Sequence, residues 1–194
     1  MIQTRFLLIL IIIVLIFSGF LFFKENTNSN GIITTTEKQK NCIPTFLDGG
    51  GPYYKPNSPF REKIVPDKNN GEKLIVKGKV LQNDCKTPVA NAVIDLWQAN
   101  ETGNYQDEWY RGKIRTGGNG TYQFESVVPK GYGEGTGYRP PHIHFKVFIN
   151  DVEIITSQMF FPEAKEKPGF EDAYIMSLTS KNKIHTGQHN IILP

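Results

Sequence analysis

Beyond its first 24 residues the chain carries no apolar pattern with a helical period, and its apolar residues fall in short runs broken by Gly, Pro and Asn. Leu74, Val76, Gly78 and Val80 alternate with Ile75, Lys77, Lys79 and Leu81, between Asn69-Asn70-Gly71 and Asn83-Asp84. Side chains two apart in an extended strand share a face, so this run predicts a strand with one buried side. Further strand-like runs are Ala92–Trp97, Lys113–Arg115, Thr121–Phe124, His142–Ile149, Glu153–Phe161, Tyr174–Leu178 and Asn190–Leu193. Gly117-Gly118-Asn119-Gly120 has the chemistry of a hairpin turn between two of them. Short strands separated by turn signals indicate an all-β sandwich or barrel, taken as one two-sheet β-sandwich.

The N-terminus differs in kind. Phe6–Phe23 is an uncharged run of 18 residues, the lower limit for crossing a bilayer core of roughly 30 Å. It predicts an N-terminal hydrophobic helix in residues 1–24, acting as a signal anchor or as a cleaved signal peptide. Phe20-Leu21-Phe22-Phe23-Lys24 is a poor cleavage context, which favours the anchor. Residues 25–41 are rich in Asn, Thr, Ser and Lys and read as a flexible tether, leaving 42–194 as the domain. The domain is expected to be exported: membrane-anchored through its N-terminal segment only, or secreted or periplasmic if that segment is cut. In an oxidising compartment Cys42 and Cys85 suggest one disulfide, with two unrelated buried thiols as the alternative. The formal charge is +3, and without Arg5 and Lys24 it is 20 Lys+Arg against 19 Asp+Glu, or +1. That balance gives no electrostatic case for nucleic acid.

Chemistry concentrates in Pro140-Pro141-His142-Ile143-His144-Phe145. In a strand His142 and His144 project together, about 7 Å apart at Cα, while Ile143, Phe145 and Val147 face the core. Two imidazoles so placed suit one metal ion, and zinc or copper as well as iron. Two surface histidines on an amphipathic strand would give the same pattern. Tyr105 and Tyr132 each lie in a Gly-flanked turn after a strand-like run, where a side chain can aim into a cleft. A phenol with pKa near 10 becomes a ligand only beside a strongly Lewis-acidic cation such as ferric ion.

Taken in order, these pieces resemble the intradiol ring-cleavage dioxygenases. The matching segments are Gly51-Pro-Tyr-Tyr, Gly78-Lys-Val, Pro88-Val-Ala-Asn-Ala-Val-Ile-Asp-Leu-Trp-Gln-Ala, Gly103-Asn-Tyr, Arg115-Thr, Gly120-Thr-Tyr, Val128-Pro-Lys-Gly-Tyr, Arg139-Pro-Pro-His-Ile-His-Phe, and Gln158 within Thr156-Ser-Gln-Met-Phe-Phe. The resemblance implies a non-haem Fe(III) ion held by Tyr105, Tyr132, His142 and His144. It implies Arg139 as the cation that stabilises charge on the ring, Gln158 as a substrate or intermediate contact, and Tyr132 as a displaceable ligand that takes up a substrate proton. The implied activity is ortho cleavage of catechol-type rings with O2 to cis,cis-muconate-type diacids, and His185 and His189, which match no ligand, are expected at the surface or an edge.

The chain lacks the helical N-terminal region of the catechol and hydroxyquinol enzymes. It looks closer to compact, exported relatives of protocatechuate 3,4-dioxygenase, although no cation can be assigned to a substrate carboxylate. Two rivals remain: a non-catalytic transthyretin-like β-sandwich binding module, and a zinc or copper hydrolase built on the histidine pair.

Overall fold

Lys73–Leu81 forms strand β1 in the computed structural model, with Leu74, Val76 and Val80 fully buried and Lys73, Lys77 and Lys79 exposed. The structure describes residues 42–106, 108–166 and 175–194, all within the unit Asn41–Pro194. The expected helix in 1–24, the tether 25–41 and Tyr174 lie outside the described residues. After β1 come β2 Val93–Gln98, β3 Arg111–Arg115, β4 Thr121–Val127, β5 His142–Ile149, β6 Val152–Phe160, β7 Ser177–Lys181, β8 Ile184–Gln188 and β9 Ile191–Ile192. Helix among the described residues is limited to two 3-10 turns, Gly135–Gly137 and Pro162–Glu166, none long and apolar enough to cross a membrane.

One sheet has the order β4-β1-β8-β7, with β9 beside β1, and the other the order β3-β2-β5-β6. Their inner faces share one core, to which β1 gives Leu74 and Val76, β2 Ile94 and Leu96, β4 Phe124, and β5 Phe145. This is the expected two-sheet all-β sandwich.

Two expectations need correction. The Gly117–Gly120 turn forms, with Gly117 N donating to Thr121 O at 2.9 Å, but the strands it joins do not pair as a hairpin. β3 pairs with β2 in one sheet and β4 with β1 in the other, so the turn is a corner between sheets. Thr116 pulls β3 away from β4: its hydroxyl donates to Val89 O at 2.7 Å and accepts from Ala92 N at 2.9 Å.

His189 is buried, not at the surface. Its backbone N donates to Lys77 O, its carbonyl accepts from Tyr122 Oη at 2.6 Å, and its ring lies 6.3 Å from that of Phe145. Burial lowers its pKa from 6.5 to about 4, and its Nε2 has no hydrogen-bond partner among the described residues. The unfolded chain therefore takes up a proton here before the folded one does. Stability is full above pH 6.5, falls as pH drops toward about 4, and levels below it. The difference in unfolding free energy between wild type and His189→Asn, measured by denaturant titration, should narrow across that window by roughly 3 kcal/mol. A difference independent of pH would refute this assignment.

The Gly- and Pro-rich segment before β1 forms a strap across the outer face of the β3-β2-β5-β6 sheet. Cys42 and Cys85 join its start to the turn after β1 in a disulfide, with Cα atoms 5.7 Å apart. Asp48 N donates to Thr156 O on edge strand β6, and Lys113 N on edge strand β3 donates to Pro59 O. Between these edges Tyr54 donates to the buried carboxylate of Asp95 at 3.2 Å. Unpaired edge groups on both sides of the sheet thus fix the strap over its middle strands.

Candidate metal centre

On β5, Ile143, Phe145 and Val147 enter the core, which turns His142 and His144 to the outer face beneath the strap. The strand register extends this into a row across the sheet: Arg111 opposite Trp97, Trp97 opposite His144, and His144 opposite Gln158. Facing residues in adjacent strands are close enough for their side chains to pack. The Trp97 and His144 rings are parallel, 4.9 Å apart with a 1° interplanar angle.

Two loops deliver the tyrosines to this row. Asn100, just after β2, accepts through Oδ1 from Thr102 N, Thr102 Oγ1 and Asn104 N at 2.8–3.0 Å, which folds the turn leading to Tyr105. Its carbonyl accepts from Lys130 N at 3.1 Å and ties this turn to the loop that carries Tyr132. Where the two loops meet, Gly103 has φ +90°, and a Cβ there would stand 3.3 Å from Gly131 O, so glycine suits the position twice over. Tyr132 and Arg139 exchange two backbone hydrogen bonds of 3.1 and 2.7 Å, which close the short loop between them.

Four polar atoms converge. Tyr105 Oη lies 3.1 Å from His144 Nε2, 3.4 Å from His142 Nε2 and 3.5 Å from Tyr132 Oη. The two Nε2 atoms are 3.1 Å apart. Donors held about 2.1 Å from one cation stand about 3.0–3.4 Å from each other, close to this spacing. His142 Nδ1 donates to Pro140 O at 2.7 Å, which leaves the Nε2 lone pair facing the cluster. Burial lowers His142 to about 4; burial, then the charge sites of His142 and Arg139, lower His144 to about 2. Both are thus neutral, ligand-ready imidazoles at neutral pH. Burial, then the hydrogen bond with Tyr132, raises the Tyr105 phenol well above its usual value of 10.0.

A phenol so placed ionises only if a strong Lewis acid compensates, so two imidazoles and two phenols fit a hard trivalent cation such as Fe(III). A zinc or copper hydrolase lacks its donors, because no group of three or more His, Cys, Asp or Glu among the described residues could hold a metal.

Arg139 and Gln158 flank this cluster. Arg139 Nη2 donates to Gln158 Oε1 at 2.7 Å, and the guanidinium lies 5.9 Å over the Phe160 ring. Gln158 is buried, and its Nε2 donates to Asp48 Oδ2 on the strap. Tyr53, also on the strap, stacks on Tyr105 with centroids 4.1 Å apart and an interplanar angle of 9°. The structure therefore brings together Tyr105, Tyr132, Arg139, His142, His144 and Gln158. It adds Asp48, Tyr53 and Trp97, which sequence reasoning did not assign to the site; the tyrosine pair after a glycine run was the available signal.

Comparison with known proteins places the chain among dioxygenases. A family model described as Dioxygenase matches residues 50–189. Catechol 1,2-dioxygenase 2 of Acinetobacter lwoffii is 34% identical over 133 residues, covering 56% of this chain and 48% of that protein. Chlorocatechol 1,2-dioxygenase of Pseudomonas putida is 32% identical over 161 residues, 71% of this chain and 60% of that protein. The chain thus spans about half the length of the curated relatives it matches. Among solved structures, the dioxygenase domain of a dioxygenase and carbohydrate-binding protein fusion from Streptomyces sp. SirexAA-E superposes with a TM-score of 0.66 at 29% identity, covering 78% of this chain and 98% of that one. On the family match and these relatives together, the chain belongs to the intradiol ring-cleavage dioxygenase family.

Proposed function

We propose that this chain cleaves catechol-type rings between their two hydroxyl-bearing carbons, using O2 and a non-haem ferric ion held by Tyr105, Tyr132, His142 and His144. The observation that carries the reading is the convergence of four donor atoms, each 3.1–3.5 Å from a neighbour, on a sheet face covered by the strap. A ferric ion bound there supplies Lewis acidity toward an aromatic diol and a template for the ring and O2. Both oxygen atoms of O2 end in the product, a cis,cis-muconate-type diacid, so no external reductant is required.

The chain's own groups divide the remaining work. Tyr132 is half-buried and meets the cluster through its hydroxyl at Tyr105, which suits it to leave when a diol enters. With iron bound, the Oη of Tyr132 would be the group placed to accept a diol proton, so no separate general base would be needed. The guanidinium of Arg139 faces negative charge as it builds on the ring. Gln158 fixes that guanidinium through the 2.7 Å bond to Nη2 and orients it toward the substrate. Tyr53 covers Tyr105 and limits water at that ligand.

A visible absorption spectrum tests the reading. Purified chain loaded with ferric iron, without reductant, should be red-brown from tyrosinate charge transfer. Anaerobic catechol should shift the band, and admitting O2 should start uptake with release of a muconate. A colourless protein that does not retain ferric iron sinks the proposal and leaves a β-sandwich binding module.

We also propose that the domain is exported. The uncharged run Phe6–Phe23 and the Cys42–Cys85 disulfide support an oxidising compartment. Recovery of the chain with cytosolic proteins after cell fractionation contradicts this.

A further inference from the structure

Arg139 is the natural handle for an anionic substituent on a substrate ring, because a guanidinium can bind a carboxylate through two parallel hydrogen bonds. Here the strap occupies it. Arg139 Nη2 donates to Gln158 Oε1 at 2.7 Å, Gln158 Nε2 donates to Asp48 Oδ2, and that carboxylate oxygen lies 3.9 Å from Arg139 Nη2. The Asp48 backbone is itself fixed, with N donating to Thr156 O at 3.0 Å, so the carboxylate is held in place. Both side chains stay open to solvent, 39% for Arg139 and 33% for Asp48, which puts the pair at the mouth of the metal centre. Other charges on this face are engaged elsewhere: Lys146 with Glu153 at 2.8 Å, and Lys113 with Asp95 at 3.9 Å.

We propose that Asp48 is a specificity-determining residue that makes this site prefer neutral and amine-bearing catechols over carboxylated ones. The proposal rests on the dioxygenase reading above and names the substrate class within it. A ring carboxylate that approaches Arg139 meets a fixed like charge and must displace Gln158 from the guanidinium. A neutral ring leaves the Arg139–Gln158–Asp48 chain intact. A cationic substituent gains Asp48 as a partner. Selection by a built-in repulsion fits a difference in affinity between competing substrates.

The test uses iron-loaded full chain and two readouts: anaerobic dissociation constants from the shift of the visible band, and kcat/KM from O2 uptake. The probes are catechol, 3,4-dihydroxybenzoate and 4-(2-aminoethyl)catechol. Wild type should bind the carboxylated probe at least about tenfold more weakly than catechol. Asp48→Asn keeps an acceptor for Gln158 and should bring that ratio close to one, while removing any advantage of the amine. Asp48→Glu keeps the charge and should keep the discrimination. A ratio that stays unchanged in Asp48→Asn overturns the proposal, as does a wild type that binds the carboxylated probe as tightly as catechol. If no diol shifts the band, catechol included, the dioxygenase reading itself fails and the selectivity falls with it.

Discussion

Replacing Tyr105 with phenylalanine should lower ferric-ion affinity by at least about a hundredfold, above the usual cost of losing an outer-sphere partner, while barely changing the fold. Tyr105 Oη is the hub of the centre, in reach of both imidazoles and of Tyr132 Oη, so its loss removes a donor that contacts every other one. Its ring keeps its stack on Tyr53, and the hydrogen bonds given up are long, 3.1–3.5 Å. The stability cost before iron loading should therefore stay within about 1 kcal/mol. The measurements are iron retention after dialysis, the charge-transfer band, and the unfolding midpoint of the iron-free protein. A Tyr105→Phe variant that binds iron with an unchanged band shows that this phenol is not a ligand. Lost colour together with a collapsed midpoint shows instead that the residue matters to the fold.

The two halves of this centre were unequally legible in the sequence. The histidine pair follows from period-two alternation alone: Ile143, Phe145 and Val147 are all at 0% exposure, so His142 and His144 must share the opposite face. The tyrosines carry no such periodicity, because loops deliver them: their Gly-flanked turns marked them as candidates, and the resemblance made them ligands. Asp48 was beyond reach, since its partner Gln158 is 110 residues away and the contact exists only because the strap crosses the sheet. Strand β8 was missed because Ile184–Gln188 has one buried residue, Gly187, and so lacks the alternation that reveals β1. The Gly117–Gly120 turn shows the converse limit. Turn chemistry is local, whereas the choice between a hairpin and a corner belongs to Thr116 and its partners around Val89 and Ala92.

Trp97 governs the second large effect. His142 has its ring fixed by a hydrogen bond from Nδ1 to Pro140 O, but His144 Nδ1 is buried without a partner among the described residues. A ligand imidazole usually gains its orientation from such a bond, so something else must set the His144 plane. The indole of Trp97 does so, parallel to the imidazole within 1° and held from its own side by Tyr54 at 4.8 Å. Gly51 at φ +63° lets the strap pass the imidazole edge, where a Cβ would stand 3.6 Å from His144 Cε1. Trp97 Nε1 also lacks a partner among the described residues, so what the indole contributes is its flat face. Trp97→Leu should then weaken ferric-ion binding by about 10- to 100-fold and broaden the charge-transfer band as His144 turns. Trp97→Phe, which loses no hydrogen bond and keeps a flat ring, should recover most of that affinity. Both variants leave space at a site 1% exposed and should lower the unfolding midpoint. The midpoint therefore cannot separate positioning from packing, but the affinity can. If Trp97→Leu and Trp97→Phe bind iron alike while both lose stability, Trp97 is only a packing residue and the strap must orient His144.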